Sequence, residues 1–130
     1  MRIDNNTIGE MFAVLRNKII STGSPPKIIR FFDAADNILC EIPFHDIVED
    51  TFAPGNFYFQ DPYGNRVIRN IIIQTGTVAN FKIYDSSFNF VILGTVSVFN
   101  GGGDIVFNTI EWEKDQVAII SSLKINFYSE

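Results

Sequence analysis

The chain has 130 residues, a formal net charge of −5 and hydrophobic residues over 46% of its length. That length suits one domain around one core, and that apolar content excludes intrinsic disorder. The acidity, with no clustered Lys or Arg, excludes a phosphate-backbone partner such as nucleic acid, which cations must neutralise.

The type of apolar residue is informative. There are 20 Ile, 9 Val and 13 Phe, β-branched and aromatic side chains that suit a pleated surface. Cys40 is the sole cysteine, so no intrachain disulfide can form. Its place between Leu39 and Glu41 in an alternating run reads as a buried, inert thiol. Residues 1–10 carry no basic, apolar leader, and no run reaches the ~18 apolar residues of a membrane span. The expectation is a chain made and folded in a cytoplasm, with no membrane insertion.

Thr7-Ile8-Gly9-Glu10 has the spacing of a capping box. Ile8, Met11, Phe12, Leu15 and Ile19 follow at helical spacing, which predicts a helix over 7–20 with one apolar stripe. Ser21 to Pro26 ends it. From Lys27 the period becomes two, and a β-sandwich body is predicted over 27–128. Lys27–Phe32 and Ile38–Phe44 flank the turn Asp33-Ala34-Ala35-Asp36-Asn37, where Asp and Asn bond their own backbone. Asp61-Pro62-Tyr63-Gly64-Asn65 separates a strand near Phe57–Phe59 from one over 66–74. Strands over 77–84 and 90–99 are joined by residues 85–89. Asn100 to Asp104 reads as a mobile hairpin tip before Ile105–Phe107. The last strands run over 117–128; Val117, Ile119, Leu123, Ile125 and Phe127 share the expected core parity, and Lys124, Asn126 and Tyr128 the wet one.

This pattern predicts a single, mostly β domain: an antiparallel β-sandwich or partly closed barrel, Ig-like or jelly-roll-like, with one short N-terminal helix. Arg30 to Ile38 and Lys82 to Phe90 echo one another as basic, apolar, aromatic, Asp, three residues, Asn, apolar. Two explanations compete: a common solution to one turn problem, or a duplicated hairpin with one copy in each sheet.

No arrangement of residues carries an obvious reaction. His45 is the only histidine and has no nucleophile in sequence reach. Asp46, Glu49 and Asp50 lack the ordered loop of a calcium motif and read as a solvated loop edge. Gly101 to Gly103 lacks the helix and lysine of a phosphate loop. The expectation is a protein that is not an enzyme and needs no metal or cofactor. The aromatics Phe57, Tyr58, Phe88 and Trp112 are candidates for contact with another chain. So are Val96, Val98 and Phe99, because Asp104 is the only charge between Ser86 and Ile110, and edge strands normally carry charge to block pairing.

Ala79-Asn80-Phe81-Lys82-Ile83-Tyr84-Asp85, Val91-Ile92-Leu93-Gly94-Thr95-Val96 and Gly103-Asp104-Ile105-Val106-Phe107-Asn108, in that order, resemble a family of small tailed-phage and prophage structural proteins. In that family an aromatic strand ends at Asp, a second strand ends in Gly-x-Val, and a Gly-Asp step precedes an apolar strand. Lys27 to Asp33 and the closing run from Gln116 to Leu123 share the likeness, while Glu113-Lys114-Asp115 stands where members carry a glycine-containing turn. The resemblance implies a virion component of the capsid, collar, tail or baseplate, synthesised in the host cytoplasm, whose partners are itself and other virion proteins. It supplies no site residues. The alternative partner is a surface glycan bound by a module on a fibre or cell surface.

Overall fold

The computed structural model describes residues 5–20, 27–50, 56–85, 89–120 and 123–124. Helix α1 (Asn5–Ile20) precedes β1 (Lys27–Phe32), β2 (Ile38–Phe44), β3 (Asp46–Glu49), β4 (Asn56–Gln60), β5 (Ile68–Ile71), β6 (Gly76–Thr77) and β7 (Asn80–Tyr84). Then come β8 (Phe90–Val98), β9 (Ile105–Phe107), β10 (Glu111–Trp112), β11 (Val117–Ile120) and β12 (Leu123–Lys124). The fold is mostly β: a curled, partly closed five-stranded sheet of order β2-β1-β7-β8-β9, with one short N-terminal helix. Three small sheets, β10-β6, β11-β5 and β12-β4-β3, accompany it.

Period-two patterning places the core. Ile29 and Phe31 from β1, Ile42 and Phe44 from β2, and Phe81 and Ile83 from β7 are buried, as alternation requires of a strand with one apolar face. Pro43 lies in β2, an edge strand, where its missing N–H costs the sheet least. Two aromatic clusters fill the interior. Phe31 contacts Phe81, Phe107 and Trp112, while Phe57 contacts Phe12 and Phe59, and Phe59 contacts Phe44. Helix α1 brings Phe12 and Ile19 into this core and packs beside β3 and β8. Thr7 falls inside the helix, which begins two residues before the predicted boundary.

The Asp-x-x-x-Asn turns share one construction. Asp33 and Asn37, Asp61 and Asn65, and Asp85 and Asn89 each close by an Asp amide donating to the Asn carbonyl at 3.0 Å. In return, Asp Oδ1 accepts from the Asn amide in all three. The Asp61–Asn65 turn, after β4, has no counterpart strands in the sequence echo, which favours a shared turn solution. The idea of one hairpin copy per sheet is overturned: β1–β2 and β7–β8 lie side by side in one sheet. Arg30 and Lys82, equivalent in the echo, are partners across β1 and β7.

Other expectations need correction. The predicted strand over 77–84 is two strands, because Val78 and Ala79 leave the ladder between β6 and β7: the Val78 amide donates to Ile110. Asp46 to Glu49 form β3 rather than a solvated loop edge, paired with β4 and carrying the buried Ile47. Gly101 to Gly103 do not tip a hairpin, for β8 and β9 are parallel. The link winds back tightly: the Gly103 amide donates to Ser97 Oγ at 2.8 Å, and the Gly101 amide to the Val98 carbonyl at 2.9 Å. A Cβ on Gly103 would stand 2.7 Å from the Ser97 nitrogen, so glycine is required there by space. The core parity of β11 is reversed: Ala118 and Ile120 are buried, Val117 and Ile119 exposed. The expected strand beyond Lys124 lies outside the described residues.

Candidate interaction surfaces

The groups that carry chemistry most often are engaged in holding the fold. Cys40 is buried, its Sγ 3.5 Å from the Ile71 carbonyl, and burial pushes its thiol up to about 11. A thiol so far above neutrality is a poor nucleophile. His45 is exposed between β2 and β3, its amide donating to the Gln60 carbonyl. Asp46 takes a bidentate pair from Arg16, with Nε to Oδ1 at 3.0 Å and Nη2 to Oδ2 at 2.7 Å. This fork fixes α1 against β3, since a guanidinium and a carboxylate match in two bonds at once. Among the described residues no three His, Cys, Asp or Glu converge as a metal site.

The candidate contact residues divide. Phe57, Val96 and Trp112 are core residues and are unavailable to a partner. Trp112 illustrates why flanking charge misleads: Glu111 and Glu113 point to solvent while the indole, one position out of phase, packs on Phe31 and Phe107 and donates Nε1–H to the Thr109 carbonyl. Tyr58 is half-buried under the Arg66 guanidinium, 4.3 Å from its ring centroid. Phe88 lies outside the described residues. Val98 and Phe99 are exposed, at 40% and 77%.

Val98 and Phe99 stand at the end of β8, beside β9. The edge strand β9 is three residues long, bears no charge, and has no strand on its far side among the described residues. Val106 projects from it into solvent. Asp104 is occupied: its Oδ2 accepts from the Thr95 amide and hydroxyl, and its amide donates to the Thr95 carbonyl. The stretch's single charge therefore closes the β8–β9 junction instead of guarding the edge.

A second surface was missed at sequence level. In the β5–β11 ribbon, Ile71 pairs with Val117 and Arg69 with Ile119. Ile71, Ile73, Val117 and Ile119 are 53%, 53%, 52% and 48% exposed, while Ile68, Ile72, Ala118 and Ile120 face the core. An open cleft of about 520 Å³ adjoins this ribbon, lined by Pro43, Asn65, Arg66 and Arg69 among others. Asp61 also borders it, but both its carboxylate oxygens are spent within the turn.

No protein-family model, curated protein or solved structure matches the chain.

Proposed function

We propose that the protein is a non-enzymatic structural and interaction module that works by protein–protein contact, as a capsid decoration or a tail or collar part of a tailed phage or prophage virion. The observation that carries the contact is the β9 edge: uncharged, unpaired on its outer side among the described residues, and flanked by Val98, Phe99 and Val106. An edge of this kind accepts a strand from a neighbouring copy or another virion protein, with backbone bonds giving affinity and alternate side chains giving fit. The virion assignment rests on the sequence resemblance.

The test is a pair of lysine substitutions. Val96→Lys places a charge in the core and should unfold the protein, whereas Val98→Lys should leave circular dichroism unchanged and abolish the larger assembly seen by sedimentation. A wild-type protein that stays monomeric to millimolar concentration and binds no purified capsid or tail component removes the reading. A glycan array then becomes decisive.

A further inference from the structure

The ribbon formed by β5 and β11 presents a different kind of surface from the β9 edge. Its inner face is used, packing Ile68, Ile72 and Ile120 into the core. Its outer face alternates likewise and has no cover among the described residues: Ile71, with Ile73 just past the strand, on one side, Val117 and Ile119 on the other. The strip from Arg69 to Ile73 spans roughly 14 Å at the usual strand rise. Isolated exposed aliphatics are ordinary on a protein surface, but three on one face of two paired strands, continued by Ile73 just past β5, form a patch.

Charge is distributed unevenly along this strip. Arg69 lies at one end, opposite Ile119, with Arg66 beyond it; both are exposed and neither joins an acidic side chain among the described residues. At the other end the Ile72 amide donates to the Gln116 carbonyl and the Asp115 amide to the Ile72 carbonyl. These bonds set the turn from Glu113 to Gln116 beside Ile73. Glu113 and Asp115 are exposed there and outweigh Lys114. The strip is thus cationic, then apolar, then anionic.

We infer that the outer face of the β5–β11 ribbon is a self-complementary interface with a second copy of this chain, related by a two-fold axis near Ile71 and Val117. Only a two-fold operation applied to such a strip places each arginine end on the partner's acidic end and each aliphatic centre on itself. The centre supplies the dry core of the contact and the charged ends its polar rim. Acidic ends also discourage parallel docking, which would set like charges together. This interface is separate from the β9 edge, so a copy paired through its ribbon keeps that edge open.

Sedimentation equilibrium with circular dichroism tests the inference on the full chain. Ile71→Asp should weaken self-association roughly 100-fold, the size of a central hot-spot loss, with the spectrum unchanged. Val117→Asp repeats the test from the other strand. Arg69→Glu should weaken the dimer about tenfold, and adding Glu113→Lys should restore it, since the swapped charges meet again across the axis. Val98→Lys, which tests the β9 edge, should leave this dimer intact. Unchanged association of the Ile71→Asp and Val117→Asp variants, a charge swap that fails to restore, or a wild-type protein monomeric at all concentrations overturns the inference. Loss of dimer through Val98→Lys alone overturns it as well and leaves the β9 reading standing.

Discussion

Gly94 is held to glycine by its partner across the sheet. It sits opposite Phe81, and a Cβ there would lie 2.3 Å from the ring's Cζ. The buried ring fills the place of the missing side chain. Gly94→Ala should cost about 1–3 kcal/mol by overpacking, read as a lowered denaturant midpoint. The cost should shrink when Phe81 is also changed to Leu, since the shorter side chain removes the collision. Cys40 gives a second prediction. Its folded thiol titrates near 11, against an ordinary 9.0, because burial penalises the thiolate. Below about pH 9 both states hold the proton, and the contribution is fully present. Between pH 9 and 11 the unfolded chain loses its proton first, so stability falls as pH rises. Wild-type protein should lose more melting temperature over that window than Cys40→Val does. At acid pH the sign reverses for Asp33 and Asp61. Asn37 and Asn65 side chains, then their amides, hold these carboxyls below the usual range. Their contribution is present above about pH 4 and is lost as pH falls through the depressed values.

At the scale of elements, the helix is an integral part of the fold. Phe12 is buried against Phe57 with ring centroids 5.5 Å apart, and Leu15 packs at the margin of the core. Phe12→Ala should cost about 3–5 kcal/mol and Leu15→Ala less, in proportion to burial. Losses below about 1 kcal/mol for both, measured by denaturant unfolding, would make α1 a loose arm. Elements with one clear period were legible in sequence: β1, β2 and β9 match their predicted bounds, and the Asp-x-x-x-Asn turns mark what they close. Legibility failed where both parities are apolar. Val117, Ala118, Ile119 and Ile120 give no polar residue to mark the wet side, so the parity read from Lys124, Asn126 and Tyr128 places Val117 and Ile119 in the core, whereas Ala118 and Ile120 pack there. It failed again at β3, where Asp46 reads as solvated loop until Arg16, 30 positions away, supplies its partner. Such distant partners leave no local signal. The parallel β8–β9 pair was hidden because such pairing normally needs a crossover of a dozen or more residues, and here Ser97 and the glycines allow a much shorter return.

At the scale of the whole molecule, strands β1 and β7 are bounded on both sides and carry Phe31 and Phe81 of the aromatic core, whereas few bonds among the described residues tie the β5–β11 ribbon to the main sheet. The Ile73 amide donates to the Leu39 carbonyl at 2.8 Å, and Asn70 Nδ2 donates to the Glu41 carbonyl at 2.7 Å. Opening of the ribbon therefore exposes less apolar surface than opening of the sheet, and local opening follows that difference. In amide hydrogen exchange, Ile29, Phe31, Phe81 and Ile83 should be slowest, at rates set by global unfolding. Amides of β5 and β11 should exchange faster in dilute protein. A second copy seated on the ribbon binds its closed form only, so mass action raises the opening free energy with concentration. Protection in β5 and β11 should then rise by about threefold for each tenfold increase in protein above the dissociation constant, because free monomer there follows the square root of total. The Ile71→Asp variant should show no such rise. Concentration-independent exchange in wild-type β5 and β11, measured alongside sedimentation that reports a dimer, would place the contact elsewhere on the molecule.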